Sequence, residues 1–183
     1  MLTVFWTTDR ARLLRTESKS WLSTPSTTEV ASPATPRERL IGLDVLTGET
    51  ATSWLVAVTE KGRVLLAAWD VRLDELGTWR DVSPSTSVRA AGIGMLVAGP
   101  SVVAATPSGH LLTLDVRRAV AGDPVWHSAV RPADGPAPAP VHALAVASGG
   151  DLAALTVACD EGAWWARLSR GDDLTEVGTP TRL

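Results

Sequence analysis

The chain of 183 residues has no tyrosine, no asparagine and no glutamine, and only one phenylalanine and one cysteine. The lone Cys159 excludes an internal disulfide and any multi-cysteine metal site. Without asparagine there is no N-glycosylation acceptor, and sugar sites built on side-chain amides lack their usual contacts. Lysine is nearly missing: Lys19 and Lys61 are the only two, and arginine carries the basic charge. A net charge of −3 without a Lys/Arg cluster argues against nucleic-acid binding. No run of 18 apolar residues exists, so no membrane-spanning helix is expected. The start, MLTVFWTTDRARLLR, lacks a charged region followed by an apolar one and does not read as a secretory signal. The expected address is the cytoplasm.

What is present is 45% apolar residues, 15 glycines, 12 prolines and eight tryptophans. That composition fits one folded, turn-rich domain. Four segments share one pattern, an apolar run, a short turn and a second apolar run. They start at Leu2, Ser53, Ser101 and Leu152, and their turns end at Ala11, Gly62, Gly109 and Gly162. The turn ends are 51, 47 and 53 residues apart. Glycine there supplies the positive φ of a tight hairpin.

A third short segment follows each hairpin, at 19–24, 78–83, 125–130 and 175–179, and three of these carry Trp21, Trp79 or Trp126. An apolar segment precedes each hairpin but the first, at 39–47, 89–99 and 142–148. The unit is therefore four strands, a to d, and the first unit lacks strand a. A period near 50 residues with four strands is the mark of a β-propeller blade. Runs such as VLLAAW and LAALTVA are apolar on both faces, as strands sandwiched between neighbouring sheets should be. The expected fold is all-β: a propeller-like arc of about four antiparallel blades at 1–24, 39–83, 88–131 and 141–179. The Ser/Thr/Pro-rich 25–38 and Pro/Ala-rich 132–140 read as linkers.

The last unit, PVHALAVASGGDLAALTVACDEGAWWARL (140–168), resembles a WD40 repeat through Val141, Leu144, Val146, the Ser148–Asp151 turn, Leu152–Thr156 and Asp160-Glu161-Gly162. The third unit is similar over Gly109–Val116, with Asp115 where the family's Trp-Asp dipeptide ends. The second holds Trp69-Asp70, two residues late. The family's Gly-His before strand a is absent; Gly109-His110 lies in the b–c turn. The resemblance implies a propeller acting as a scaffold in multi-protein systems. WD40 propellers commonly have about seven blades. Three outcomes therefore stand open: a small closed ring, an arc completed by a second copy, or one completed by another protein. The Trp opening strand d and RTESKSW (15–21) also resemble a degraded Asp-box of sialidase-type propellers, which would imply a glycan-binding or glycan-processing domain.

Catalysis finds little support. There is no G-x-S-x-G elbow, and His110, His127 and His142 fall in three different slots. Cys159, ending an apolar strand, reads as a buried inert thiol. Asp172-Asp173 lacks calcium-loop spacing, and Gly92, Gly94 and Gly99 lack the spacing of a dinucleotide loop. Asp9, Glu60, Asp160 and Glu161 recur in equivalent turns, where acidic residues are ordinary. Trp54, Trp69, Trp164 and Trp165 are expected in the core. No catalytic residue, metal or cofactor is assigned. One constellation points to a partner: Arg39, Arg89 and His142 each open a strand a. With the b–c turns on one face, they would hold an acidic peptide or protein segment, while Arg117 and Arg118 lie on the opposite face.

Overall fold

A computed structural model describes residues 2–7, 12–18, 20, 23–31, 38–47, 51–96, 99–129, 140–149, 152–160, 162–170, 175–178 and 181–182. Asp9, Ala11, Trp21, Glu161, Asp172, Asp173 and most of the Pro-rich stretch 131–141 lie outside these residues.

The first sheet is β1 (Leu2–Thr7), β2 (Leu13–Ser18) and β3 (Ser26–Val30), in that spatial order. The second runs β4 (Leu40–Leu46), β5 (Thr52–Thr59), β6 (Val64–Asp70), and then two fragments on the far edge of β6, β7 (Glu75–Leu76) and β8 (Arg80–Asp81). The third is β9 (Ala90–Leu96), β10 (Gly99–Ala105), β11 (Leu111–Asp115) and, after helix α1 (Val116–Val120), β12 (Trp126–Ser128). The fourth is β13 (Val141–Gly149), β14 (Leu152–Cys159), β15 (Gly162–Arg170) and β16 (Thr175–Val177), with β17 (Thr181–Arg182) beside β15 as well. The fold is therefore all-β: among the described residues there are four antiparallel meander sheets and one five-residue helix.

Strands a, b and c stand where the repeat placed them. The outer strands do not all agree. In the first sheet the third strand is Ser26–Val30, inside the stretch read as a linker; Lys19, Trp21 and Leu22 of the expected 19–24 segment lie outside the described residues. STTEV carries β-favouring threonines, and its polarity on both faces suits an edge strand in water. In the second sheet the expected 78–83 strand shrinks to Arg80–Asp81 and shares its edge with Glu75–Leu76. In the fourth, β17 extends the edge beyond 179. The helix was not expected, although its signals are present. Asp115 caps it by accepting from the backbone N–H of Arg117 (2.7 Å) and Arg118 (3.4 Å), and Gly122 with φ +99° follows it.

Alternation along the strands explains the stacking of the sheets. In β10, Val102 and Ala104 join a core with Val56, Val58, Val64 and Leu66 of the second sheet. Val103 and Ala105, pointing the other way, join Leu155, Val157 and Ala166 of the fourth. The third sheet is thus buried on both faces, which accounts for its unbroken apolar runs. Gly92 and Gly94 let the fourth sheet approach. A Cβ on Gly92 would lie 3.0 Å from Leu144 Cδ2, and one on Gly94 would overlap Val146 Cγ1.

The first sheet meets the second through a different chemistry. Leu55, Ala57, Leu65, Ala67 and Trp69 are buried on that side. Phe5 meets Trp69 edge-on, with ring centroids 5.1 Å apart. Arg15 lies 5.8 Å over the Trp69 ring and grips both carboxylate oxygens of Asp74, which stands at φ +58°.

Two tryptophans bridge successive sheets. Trp79 Nε1 donates to Ala31 O at 2.9 Å, and Trp126 Nε1 donates to Val82 O at 2.6 Å. The recurrence of Trp before strand d therefore has a structural cause. Trp69 is buried as expected, whereas Trp165 is 41% exposed, on a face of the fourth sheet that no other described sheet packs against.

Candidate functional site

The b–c turns share one construction. In the second sheet Thr59 N donates to Arg63 O (3.0 Å), Gly62 N to Thr59 O (2.9 Å), and Arg63 N to Thr59 Oγ1 (3.2 Å). The third sheet repeats this with Thr106, Gly109 and His110 at 2.9, 2.9 and 3.1 Å. In the fourth, Cys159 takes the threonine's place and its Sγ donates to Gly162 O at 3.3 Å. That thiol is half-buried and serves the turn. The glycines close each turn with φ of +78°, +80° and +117°.

These turns and the starts of β4, β9 and β13 lie at one end of the three sheets, because each strand a runs antiparallel to a strand b that leads into its turn. Arg39, Arg89 and His142 are all exposed at this end. Their registers differ, however. Leu40 opposes Thr59 and Val141 opposes Cys159. Since Ala90 opposes Ala105, Arg89 falls in the slot of Leu40 and Val141. His142 sits within the β-bulge between Val141 and Ala143, and Arg39 stands one residue before the slot.

The three also differ in electrostatic state. Arg39 Nε donates to Glu60 Oε2 at 3.1 Å and its backbone N–H to Glu60 Oε1 at 3.3 Å. Hydrogen bonding from Arg39 holds the Glu60 carboxyl below its usual range. His142 Nε2 pairs with Asp160 Oδ1. Glu60 and Asp160 are the residues directly after the turn's Thr59 and Cys159. In the third sheet that position is Pro107, which offers no carboxylate, and the Arg89 guanidinium has no partner among the described residues. No contact joins Arg39, Arg89 and His142 to one another; each of the flanking two is bound to its own turn.

Beside this end lies an ion pair that the sequence reading missed. Glu38, 3% exposed, accepts from Arg63 Nε (3.2 Å) and Nη2 (2.6 Å), and Arg63 Nη1 also reaches Asp81 at 3.1 Å. The Arg63 hydrogen bonds hold the Glu38 carboxyl below its usual range. Glu38 had been placed in a linker, so its burial was invisible in sequence.

At the other end, Asp70 and Asp115 each close the turn after strand c. Asp70 Oδ1 accepts from the N–H groups of Arg72 (2.8 Å) and Leu73 (3.0 Å), as Asp115 does for Arg117 and Arg118. Arg118 pairs with Asp123 at 2.5 Å. Arg117 and Arg118 therefore lie on α1 at the end opposite Arg89.

Among the described residues, no three His, Cys, Asp or Glu side chains gather to hold a metal ion, and no helix is long and apolar enough to cross a membrane. No family model matches the chain, and no curated protein matches it. Among solved structures it is similar to the crystal structure of the major Malassezia sympodialis allergen Mala s 1. The identity is 11% over 95% of this chain and 73% of that one, with a TM-score of 0.47. At that score the likeness carries no argument about fold or activity.

Proposed function

We propose that the four sheets are blades of a WD40-like propeller arc, and that the chain is a non-catalytic protein-interaction module of the cytoplasm. Its receiving surface is the end that carries the b–c turns, and its ligand is an acidic peptide or protein segment. The observation that carries this reading is Arg89, an exposed guanidinium in a slot where the flanking sheets bury Leu40 and Val141, beside a turn whose carboxylate position is Pro107. Arg39 and His142 flank it but are already paired with Glu60 and Asp160. Arg89 is then the first contact, and the flanking pairs exchange partners when a carboxylate ligand arrives. A guanidinium suits carboxylates through its fixed fork. The enzyme or lectin reading of a sialidase-type propeller needs converging arginines and carboxylates, and the described residues at this end pair locally instead.

The test is binding of an acidic peptide, such as a short Asp/Glu repeat, at low and moderate salt. Affinity should fall with salt. Arg89→Glu should weaken it more than Arg39→Glu, and both more than the double change Arg117→Glu with Arg118→Glu. Binding that ignores Arg89 and depends on Arg117 and Arg118 would put the receiving surface at the opposite end. No binding of acidic peptide at low salt would remove the reading.

A further inference from the structure

The first sheet is one strand short of the repeat. In the other three, strand b is paired on both sides: β5 by β4 and β6, β10 by β9 and β11, β14 by β13 and β15. β1 stands where strand b stands, and among the described residues it pairs with β2 alone. Its other edge leaves every second backbone N–H and C=O without a ladder partner.

The second sheet carries the matching wall of that place. Register equates Leu43 and Val45 of β4 with Leu144 and Val146 of β13. Leu43 opposes Ala57 and Val45 opposes Leu55, as Leu144 opposes Val157 and Val146 opposes Leu155. Leu144 and Val146 project into the space that Gly92 and Gly94 leave in strand a of the third sheet. A Cβ there would lie 3.0 Å from Leu144 Cδ2 or overlap Val146 Cγ1. Leu43 and Val45 project toward the first sheet in the same way, and Leu43 packs with Leu40, Ala57 and Leu65. The strand a that would receive them is the one the first sheet lacks. Both are half-buried, whereas Ala91 and Ile93 at the same positions of β9, which has β4 on one side and β13 on the other, are buried. The spacing is also that of the repeat. β1 comes within 8 Å of β4, as β5 does of β9 and β10 of β13, in joints where strand a is in place.

We propose that the free edge of β1 and the Leu43–Val45 wall form a slot that takes an extended segment of a partner protein as a fourth strand, antiparallel to β1. The slot sets the chemistry of that segment. Its backbone must donate to β1, so the paired run holds no proline. The two residues facing Leu43 and Val45 are small and two apart, as Gly92 and Gly94 are, and uncharged, since they meet an apolar wall. Main-chain pairing supplies the affinity and the small residues the specificity. The slot is separate from the Arg89 surface, and either can fail alone.

β9 supplies the probe, a peptide of Ala90–Leu96 blocked at both ends, with two lysines beyond the run for solubility. It holds no acidic group, so the Arg89 surface does not take it. Hydrogen exchange is followed on the full chain with and without the peptide. Amides of β1 should exchange about tenfold more slowly, as a ligand at about ten times its Kd would give. Those of the outer edges β3 and β12 should not change. The same peptide carrying Gly92→Val and Gly94→Val, which cannot admit Leu43 and Val45, should give no slowing, and neither should one N-methylated at alternate residues. No slowing in β1 up to about 1 mM peptide, where even a weak site fills, would overturn the proposal. So would slowing that the valine peptide reproduces, or slowing at β3 or β12 in place of β1. Protection of β1 that grows with the concentration of the chain alone would give the slot to a second copy and overturn it as well.

Discussion

Asp44 shows how one side chain can serve two sheets. It projects from β4, and its two oxygens accept from the backbone N–H of Val45 and of Ile93 in β9, each at 2.9 Å. β9 is the first strand of its sheet, so the outward N–H groups of Ile93 and Met95 have no strand to pair with. Ser148 Oγ of the fourth sheet accepts from Met95 at 3.1 Å. Burial pushes the Asp44 carboxyl above its usual range. Its ionised form therefore costs stability at neutral pH, and that cost disappears as pH falls through the raised folded value. Glu38 has the opposite sign. Its value is lowered by Arg63, so the stability it contributes is present above the unfolded carboxylate range and is lost as pH falls through the folded value. Asp44→Ala strands the Ile93 N–H and should cost about 1–2 kcal/mol at pH 7 in urea denaturation. The gap between the two proteins should widen on acidification, because only the unsubstituted chain gains from protonating Asp44. Equal stability at pH 7 with no widening would show that the bridge is idle. Glu38→Ala should cost about 2 kcal/mol at pH 7. That is less than for a fully buried pair, because Arg63 keeps Asp81 and some water. Its cost should shrink in acid, the reverse of Asp44→Ala.

At the scale of elements, the b–c turn is the most repeated device, and it tolerates little. A Cβ on Gly62 would overlap Ser87 Oγ and lie 3.0 Å from Val88 N, at a φ of +78°. Gly62→Ala should therefore lower stability by about 2–3 kcal/mol, from the left-handed backbone and the crowding together. A loss under about half a kcal/mol would mean that the Ser87–Val88 segment gives way freely. These turns were legible in sequence because φ > 0 calls for glycine, and the spacing of Gly62, Gly109 and Gly162 set strands b and c on either side. Strands a were legible as apolar segments ahead of each hairpin, although only β9 is buried on both faces and β13 exposes Ala143, Ala145 and Ala147. The outer strands were legible only in part. STTEV of β3 is almost wholly polar, and β7 and β8 are two residues each, so they look like loops until a neighbour's register is known. The basic trio was legible as exposed and co-terminal. Its inequality was not, since it depends on the bulge at His142 and on Pro107 standing where Glu60 and Asp160 stand. Pairing register of that kind is a tertiary property.

The whole molecule is a stack whose joints differ in kind, and the difference fixes the order in which it opens. The second, third and fourth sheets are joined by two aliphatic cores that share β10, whose Val102, Val103, Ala104 and Ala105 have no exposure at all. The first sheet adds to the buried Leu13, Leu55, Ala57 and Leu65 the Phe5–Trp69 contact, the Arg15–Asp74 pair and the Trp79 hydrogen bond to Ala31. Arg15 Nε, 3.6 Å from Glu17 Oε1, is buried there without a hydrogen bond, a cost that the aliphatic joints do not carry. Hydrogen bonding from Arg15 holds the Asp74 carboxyl below its usual range, so this joint weakens as pH falls through that lowered value. Local opening should follow these differences. In native-state hydrogen exchange, amides of β1–β3 should open at lower free energy than those of β10 and β14. Asp74→Ala should speed exchange in the first sheet by about tenfold, equivalent to about 1.4 kcal/mol, and leave β10 unchanged. It should also remove the acid sensitivity of first-sheet exchange. Uniform protection across all four sheets, or an Asp74→Ala effect spread equally to β10, would show that the stack opens as one unit and that the polar joint is no weaker than the aliphatic ones.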